Sequence, residues 1–405
     1  MKGNIVSMYL LTLFRVLIPL VLIPIFSRAL GVEEFGKYYF YQAISFFVSI
    51  FFEFGFNITY TRLLAKGEQC QNRLVSEVTS FQLYSLLLIM ILSLLVSQFC
   101  SLDSYDILLL VLWGASVGNV PTYFFQGKNR IWVVSLYEIV INTTFLLSVV
   151  LFIWIDMDLD ARLLIQAQVL LRAIGLYVLF RSVYTEVGGF TVNLSFAKEA
   201  YFKAVSSFLY RLSVNAYTTI NVVIVGKIFG PSAVALYSPV EKLVKASLNF
   251  ITPISQVVYP IIAKGGKLGL VTTTASIQLS LAVLAMLTIT WLSEPLINFL
   301  LGESFSDATE LLHVFVFVIP IITISNILAF QVLFPRGLES KMKWSVLLGA
   351  TVNILLVVTL YNKLTINNYV YIVLASEAAV VIGMIIIYFF GKKNNEKNSS
   401  GYSDI

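Results

Sequence analysis

The sequence predicts an all-α polytopic membrane protein with about twelve transmembrane helices, arranged as two six-helix lobes around a central cavity. Three observations lead there. Hydrophobic residues make up 58% of the 405 residues and charged ones 12%, with a mean hydropathy of +0.87, which leaves too little polar surface to coat a soluble particle of 45.4 kDa. Apolar windows of roughly 20 residues, long enough to cross a bilayer, recur along nearly the whole chain. Lys and Arg alternate between rich and poor loops, as the positive-inside rule requires of a multi-pass protein.

The first window, 5–28, follows Lys2 and lacks a clear small-residue cleavage site, so it reads as a retained helix and not as a signal peptide. Arg15 lies at its middle, and Pro19 and Pro24 permit a kink. Arg28 and Lys37 lie in an outer loop before helix two, 38–60, which carries Glu53. The inner loop with Arg62, Lys66, Cys70 and Arg73 leads to helix three, 78–100, near whose end stands Cys100. The topology sets the two cysteines on opposite faces, so no disulfide is expected. An acidic outer loop, Asp103 to Asp106, precedes helix four, 106–126, with Pro121. Its Gly114-Ala115-Ser116-Val117-Gly118 matches both the nucleophile elbow and the small-residue packing motif. An elbow needs a strand, a sharp turn and a partner His, whereas this stretch is helical and the chain's only His is His313, so helix packing is expected. Lys128 and Arg130 mark the inner face, helix five at 131–154 carries Glu138, and Asp156 to Asp160 mark the outer face before helix six, 161–182, with Arg172.

The longest inner connection, with Gly188-Gly189, reads as a hinge: an N-terminal lobe over 1–183, a cytoplasmic linker over 184–203 and a C-terminal lobe over 204–390. Helix seven, 204–228, contains Arg211. Helix eight, 237–262, opens with Glu241, Lys242 and Lys245 and holds Pro253 and Pro260. Helix nine spans 270–292, and Ser, Thr and Asn dilute the hydrophobicity of windows seven to nine. An acidic outer connection leads to helix ten, 311–334, with Pro320; Arg336, Lys341 and Lys343 return the chain inside. Helices eleven and twelve follow at 344–361 and 369–390, and the polar tail 391–405 is expected to be disordered. Both termini are then cytoplasmic. Arg28, Gly31 and Tyr38 after helix one are echoed at a constant offset by Lys227, Gly230 and Tyr237 after helix seven. Gly127 and Asn142 are echoed by Gly337 and Asn353, which suggests duplicated halves facing the same way.

Arg15, Arg172, Arg211, Lys242 and Lys245 lie within apolar segments, where a central cation costs roughly 2.5 to 3.5 kcal/mol on the insertion scale. One reading is an anion-attracting cavity, because Arg binds phosphate oxygens through a planar fork and does not deprotonate. The other is that these cations neutralise buried acids, since Glu53, Glu138 and Glu377 also lie in apolar segments, or that they snorkel to headgroups. Glu241 and Lys245 form an i,i+4 pair of the favourable order, which leaves Lys242 less compensated. Glu53 and Glu138 are candidate ion-coupling groups, because desolvation favours the protonated carboxyl. His313 and the separated cysteines offer no transition-metal site, no Walker loop appears, and no cofactor is expected. A net charge of +5 is spread singly over short loops, which excludes a nucleic-acid-binding stripe.

The run from Ile18 to Tyr38, with Pro19, Pro24, Arg28, Gly31, Glu33, Glu34, Phe35 and Gly36, resembles the first-helix and first-loop signature of bacterial polysaccharide repeat-unit flippases, the Wzx-type O-antigen transporters. Glu53-Phe54-Gly55-Phe56 followed by Arg62 is similar to the end of their second helix, and Phe124-Phe125-Gln126-Gly127 to the close of their fourth; Phe334 to Glu339 resembles their tenth. The resemblance implies the multidrug/oligosaccharidyl-lipid/polysaccharide exporter superfamily, with a polyprenyl-pyrophosphate-linked oligosaccharide moved from the inner to the outer leaflet of the bacterial cytoplasmic membrane, usually with ion-gradient coupling. Arg15, Arg28, Arg62 and Arg211 match basic elements of that pattern, and Arg172, Lys242 and Lys245 would add to the cavity. Membrane lipids and other polysaccharide assembly proteins are the implied partners. Ser232-Ala233 lack the acidic character of Glu33-Glu34, so the halves differ here. The rivals are a multidrug or cation exporter, which should favour acidic cavity residues, and a membrane polymerase or ligase, which should carry a large outer catalytic loop. No outer loop is much longer than the Ser293 to Glu310 connection.

Overall fold

The computed structural model describes the backbone of residues 2–67, 70–98, 103–263, 268–338 and 341–400; side chains at 2–16, 96, 210, 213–218, 256, 260, 263, 268 and 391–400 also lie outside the described residues. Cys100, Lys264, Lys267 and Glu339 therefore fall outside, as do the side chains of Arg15, Pro260, Lys392, Lys393 and Lys397. Every regular element among the described residues is helical. In the first unit these are α1 (Lys2–Glu53), α2 (Phe56–Lys66), α3 (Gln71–Ser97), α4 (Ser104–Gly118), α5 (Thr122–Gly127), α6 (Ile131–Trp154), α7 (Ala161–Val187) and α8 (Leu194–Phe229). The second has α9 (Pro231–Ala263), α10 (Leu268–Trp291), α11 (Ser293–Leu300), α12 (Ala308–Phe315), α13 (Val318–Ile327), α14 (Met342–Leu360) and α15 (Ile366–Ser400).

Eight helices among the described residues are long and apolar enough to cross a membrane. The two arms of α1 about Gly31, together with α8 and α9, occupy the positions of the other expected spans. Burial follows membrane logic: on α3, Leu74, Val75 and Val78 are buried, whereas Leu87, Leu88, Ile91 and Leu95 farther along stand exposed. This is a multi-pass membrane protein.

The chain divides into two compact units, Met1–Gly226 and Lys227–Ile405. Nearly all of α8 therefore packs with the first unit, although the sequence expectation sets the lobe boundary at 184–203. Two close approaches account for this: a Cβ on Gly55 would lie 2.6 Å from the backbone of Ser207 and Phe208, and one on Gly226 would overlap the ring of Phe40. The expected hinge is also held. Asn72, Ser76 and Ser80, one turn apart on α3, hydrogen-bond backbone groups between Val187 and Asn193. At the other end, α15 continues as a helix to Ser400, past the expected close of the last span.

The internal echo has a conformational counterpart. Gly31 bends α1 with φ 69°, and Gly230 joins α8 to α9 with φ 85°; a Cβ at either would meet nothing within 4 Å, so the left-handed backbone alone favours glycine there. The echoed tyrosines are both buried in aromatic clusters. Tyr38 lies 4.9 Å from Phe26 and 5.7 Å from Trp113, and Tyr237 lies 5.4 Å from Phe315 and 5.9 Å from Tyr369.

Candidate functional site

Two helix interruptions in the first unit open onto one cavity of about 620 Å³. The first ends α1 at Glu53, where Phe54 (φ 44°) and Gly55 (φ 75°) both take the left-handed conformation. Phe54 holds this position through stacking: its ring lies 4.2 Å from Phe208 at an interplanar angle of 9°, and 4.4 Å from Phe81. Gly55 is required twice over, by its φ and by the approach of α8. The Glu53 carboxylate accepts the N–H of Gly55 (3.2 Å) and of Asn57 (3.0 Å), satisfying donors that the start of α2 leaves open. It also accepts Arg211 Nε of α8 at 3.1 Å.

The second interruption, Asn119 to Pro121, separates α4 from α5. Proline has no N–H to continue α4, so the helix stops. Gly114 and Gly118 bring α4 against α1: a Cβ on Gly114 would sit 2.8 Å from the Ser45 carbonyl oxygen, and one on Gly118 would overlap that of Ser49. The glycine motif is thus a packing device, as its helical setting predicts. Val117, Gly118, Val120 and Thr122 line the cavity at the break, with Gln126 farther along α5 and Glu53, Asn57 and Ile58 at the other interruption.

Glu138 of α6 reaches the same cavity and is gripped by Arg172 of α7, whose two terminal nitrogens donate to its two oxygens at 3.4 and 3.3 Å. Gly175 allows the approach of α6 and α7, since a Cβ there would lie 2.5 Å from the Tyr137 ring. The two pairs differ in exposure. Arg172 and Glu138 side chains are 7% and 14% exposed, whereas Arg211 is 37% exposed and itself lines the cavity.

The expected cations and the expected ion-coupling acids are therefore partners: Arg211 with Glu53, and Arg172 with Glu138. The described lining is not cationic: it holds the carboxylates of Glu53 and Glu138 against the one guanidinium of Arg211, with Arg172 behind Glu138, and each guanidinium meets a carboxylate from another helix that offsets its desolvation cost. Arg28, on an exposed turn, donates to the Pro24 carbonyl at 2.9 Å and does not line the cavity; exposed Arg62 on α2 does not line it either. Lys242 and Lys245 belong to the second unit, where Lys245 meets Glu241 at 3.0 Å in the expected i,i+4 pair and Lys242 is half-buried. The side chain of Arg15 lies outside the described residues.

Sequence reasoning missed three groups. Neutral Asn57, Thr122 and Gln126 line the cavity, and Gln126 lies in the Phe124-to-Gly127 run already singled out. Fully buried Glu77 on α3 accepts Tyr60 Oη (2.7 Å), Lys203 Nζ (2.7 Å) and Arg73 Nε (3.3 Å), a carboxylate preceding an apolar window by one residue. Arg73 also meets Glu199 at 2.9 Å and holds its carboxyl below the ordinary range. In the second unit, Ser255, Gln278, Gln331 and Thr274 form a buried network, with Gln331 on the π-helical turn Leu328–Leu333. Among the described residues no three His, Cys, Asp or Glu side chains gather to hold a metal ion.

A family model described as "Polysaccharide biosynthesis protein" matches residues 1–265. The chain belongs to this family. Among its curated relatives, a protein of Escherichia coli (strain K12), provisionally named an O-antigen transporter, is 24% identical over 88% of this chain and 89% of its own length. A Shigella dysenteriae protein with the same provisional name is 24% identical over 88% of this chain and 91% of its own. This member of the polysaccharide biosynthesis family also shares its fold with solved transporters. The lipid II flippase MurJ in an inward closed conformation superposes with TM-score 0.73 at 14% identity, covering 95% of this chain and 87% of that one. An inward-facing multidrug resistance MATE transporter of the MOP superfamily gives 0.67 at 11%, covering 97% and 99%. The family model and curated relatives agree with the family that the first-loop run resembles, and the solved structures agree with the fold it implies.

Proposed function

We propose that this member of the polysaccharide biosynthesis family is a flippase that carries a polyprenyl-pyrophosphate-linked oligosaccharide repeat unit from the inner to the outer leaflet of the bacterial cytoplasmic membrane, by alternating access. The observation that carries the reading is Arg211, partly exposed in a cavity built where two helices break. The relatives' names support the cargo class: O-antigen transporters among the curated proteins and a lipid II flippase among the folds. Pyrophosphate oxygens form charge-assisted bonds with a guanidinium, and the polyprenyl tail stays in lipid while the glycan crosses. No covalent bond changes. Both termini are cytoplasmic in this reading, and other polysaccharide assembly proteins supply and consume the cargo.

The two ion pairs suit different roles. Glu53 keeps two backbone donors from α2 when Arg211 turns to an incoming pyrophosphate, so the exchange leaves no bare buried carboxylate. Glu138 depends on the more buried Arg172, and that pair holds the wall. Glu53, released as Arg211 is drawn away, is the group at which an ion gradient couples, while Glu138 stays with Arg172.

The test is complementation of a strain lacking its own repeat-unit flippase, read as surface polysaccharide. Wild type restores it and Arg211→Ala reduces it at least about tenfold, the loss expected for one charge-assisted bond. Undiminished polysaccharide with Arg211→Glu would sink the proposal. A second reading, a cation exporter of the same superfamily, is favoured by the two carboxylates in the lining. Lowered ethidium accumulation without complementation would put that reading in first place.

A further inference from the structure

On the wall of the cavity formed by α2 and α5, three neutral polar side chains have no assigned task. Asn57 is in the first turn of α2, and Thr122 and Gln126 are on α5. None of the three side chains has a hydrogen-bond partner among the described residues, although their neighbours Glu53, Glu138 and Arg211 are paired. Unspent hydrogen-bonding capacity on a cavity wall is capacity for a ligand or for water.

The wall that presents them is rigid. A Cβ on Gly127 would lie 2.8 Å from Leu64 Cβ, so α5 and α2 are in direct contact; Thr61 donates to the Tyr123 carbonyl at 3.4 Å, and the Tyr60 and Tyr123 rings meet edge to face at 6.0 Å. Buried Phe124 and Phe125 anchor α5, while Gln126 stands exposed beside them. A carboxamide offers both donor and acceptor, the combination that matches a sugar hydroxyl, whereas pyrophosphate oxygens only accept.

We propose that Asn57, Thr122 and Gln126 form a saccharide subsite, next to the Arg211 pyrophosphate position, that reads the hydroxyl groups of the sugar nearest the lipid. This rests on the flippase reading above. The cavity then divides by chemistry: the guanidinium takes the charge common to every polyprenyl pyrophosphate, and the neutral wall distinguishes cargo that carries a sugar from cargo that does not.

The experiment measures binding of two probes to the purified full chain in detergent: polyprenyl pyrophosphate alone, and the same lipid carrying one hexose. The readout is the ratio of the two affinities. Wild type prefers the glycosylated lipid by about tenfold, the equivalent of one or two net hydrogen bonds. Asn57→Ala with Gln126→Ala brings the ratio to within about twofold of unity, and Gln126→Asn, which keeps the carboxamide, retains part of the preference. Gln126 is exposed, so Gln126→Ala alone carries the test if the double variant does not fold. Two outcomes overturn the subsite: a wild-type ratio near unity, or a ratio that survives both alanines. Failure of wild type to bind either lipid overturns the flippase reading instead, so the two failures are distinct.

Discussion

Breaking the Arg172–Glu138 pair tests the central physical argument, that intramembrane cations are tolerated here because acids from other helices offset them. Both partners are more than four-fifths buried, and the two bonds at 3.3 and 3.4 Å use both oxygens and both terminal nitrogens. Replacing Arg172 with Met strands a carboxylate, and replacing Glu138 with Gln strands a guanidinium. Each single change is expected to destabilise by about 3 to 5 kcal/mol, because an unpaired buried charge keeps its desolvation cost without its partner. The double change to Met and Gln leaves no charge behind and should recover most of that loss, giving a coupling energy of at least about 2 kcal/mol in a double-mutant cycle. Denaturant unfolding of the purified protein in detergent measures the four corners. Single losses under about 1 kcal/mol, or losses that simply add, would refute the reasoning and show the pair to be solvated. Surface polysaccharide in the same four strains adds a functional readout. If the pair only holds the wall, transport recovers together with stability in the double variant.

Further outcomes follow from the same geometry. Gly55→Ala should sharply reduce the monodisperse fraction on size-exclusion chromatography, since it adds left-handed strain of about 1 to 2 kcal/mol to a clash with the α8 backbone; Gly269→Ala, whose Cβ would meet nothing within 4 Å, is the control. Glu77→Gln should lower stability in the same unfolding assay, because Lys203 and Arg73 lose their shared buried carboxylate, though by less than the Arg172–Glu138 changes since both cations still reach solvent. Glu34, in the connection between the first two expected spans, feels burial that would raise its pKa, yet the Ala161 N–H and Lys37 ammonium hold it below the ordinary range. Its stabilisation is therefore complete above its unfolded value, near pH 4.3, and disappears as pH falls through the lower folded value. The loss of melting temperature between about pH 5 and pH 3 should be smaller in Glu34→Gln than in wild type, and equal slopes would contradict the assignment.

The interruptions show where sequence legibility stops. Helix two reads as continuous from 38 to 60 because the apolar residues around Glu53 and Gly55 keep the window average high, yet left-handed Phe54 and Gly55 end the helix there. Hydropathy averages over a window and cannot register two dihedral angles. Pro121 signals a kink in helix four, but whether a proline bends or terminates a helix depends on what packs beside it, here the α1 backbone against Gly118. Charge was legible as type and not as partnership. Glu53 and Arg211 are remote in sequence, and periodicity carries no information about which faces of distant helices meet.

Composition and the alternation of basic loops determined by themselves that this chain is a helical membrane protein, because the cost of exposing apolar side chains to water, or charges to lipid, is local and sums along the sequence. The run from Ile18 to Tyr38 likewise pointed to the family, and the paired glycines Gly31 and Gly230 marked real changes of helix direction. Only the tertiary structure decided that Arg172 and Arg211 are held by carboxylates, that α8 packs with the first unit, and that neutral Asn57 and Gln126 share the cavity with Arg211. The reason is physical: an ion pair or a cavity is a property of separated segments brought within a few ångströms, and its energy exists only once they meet.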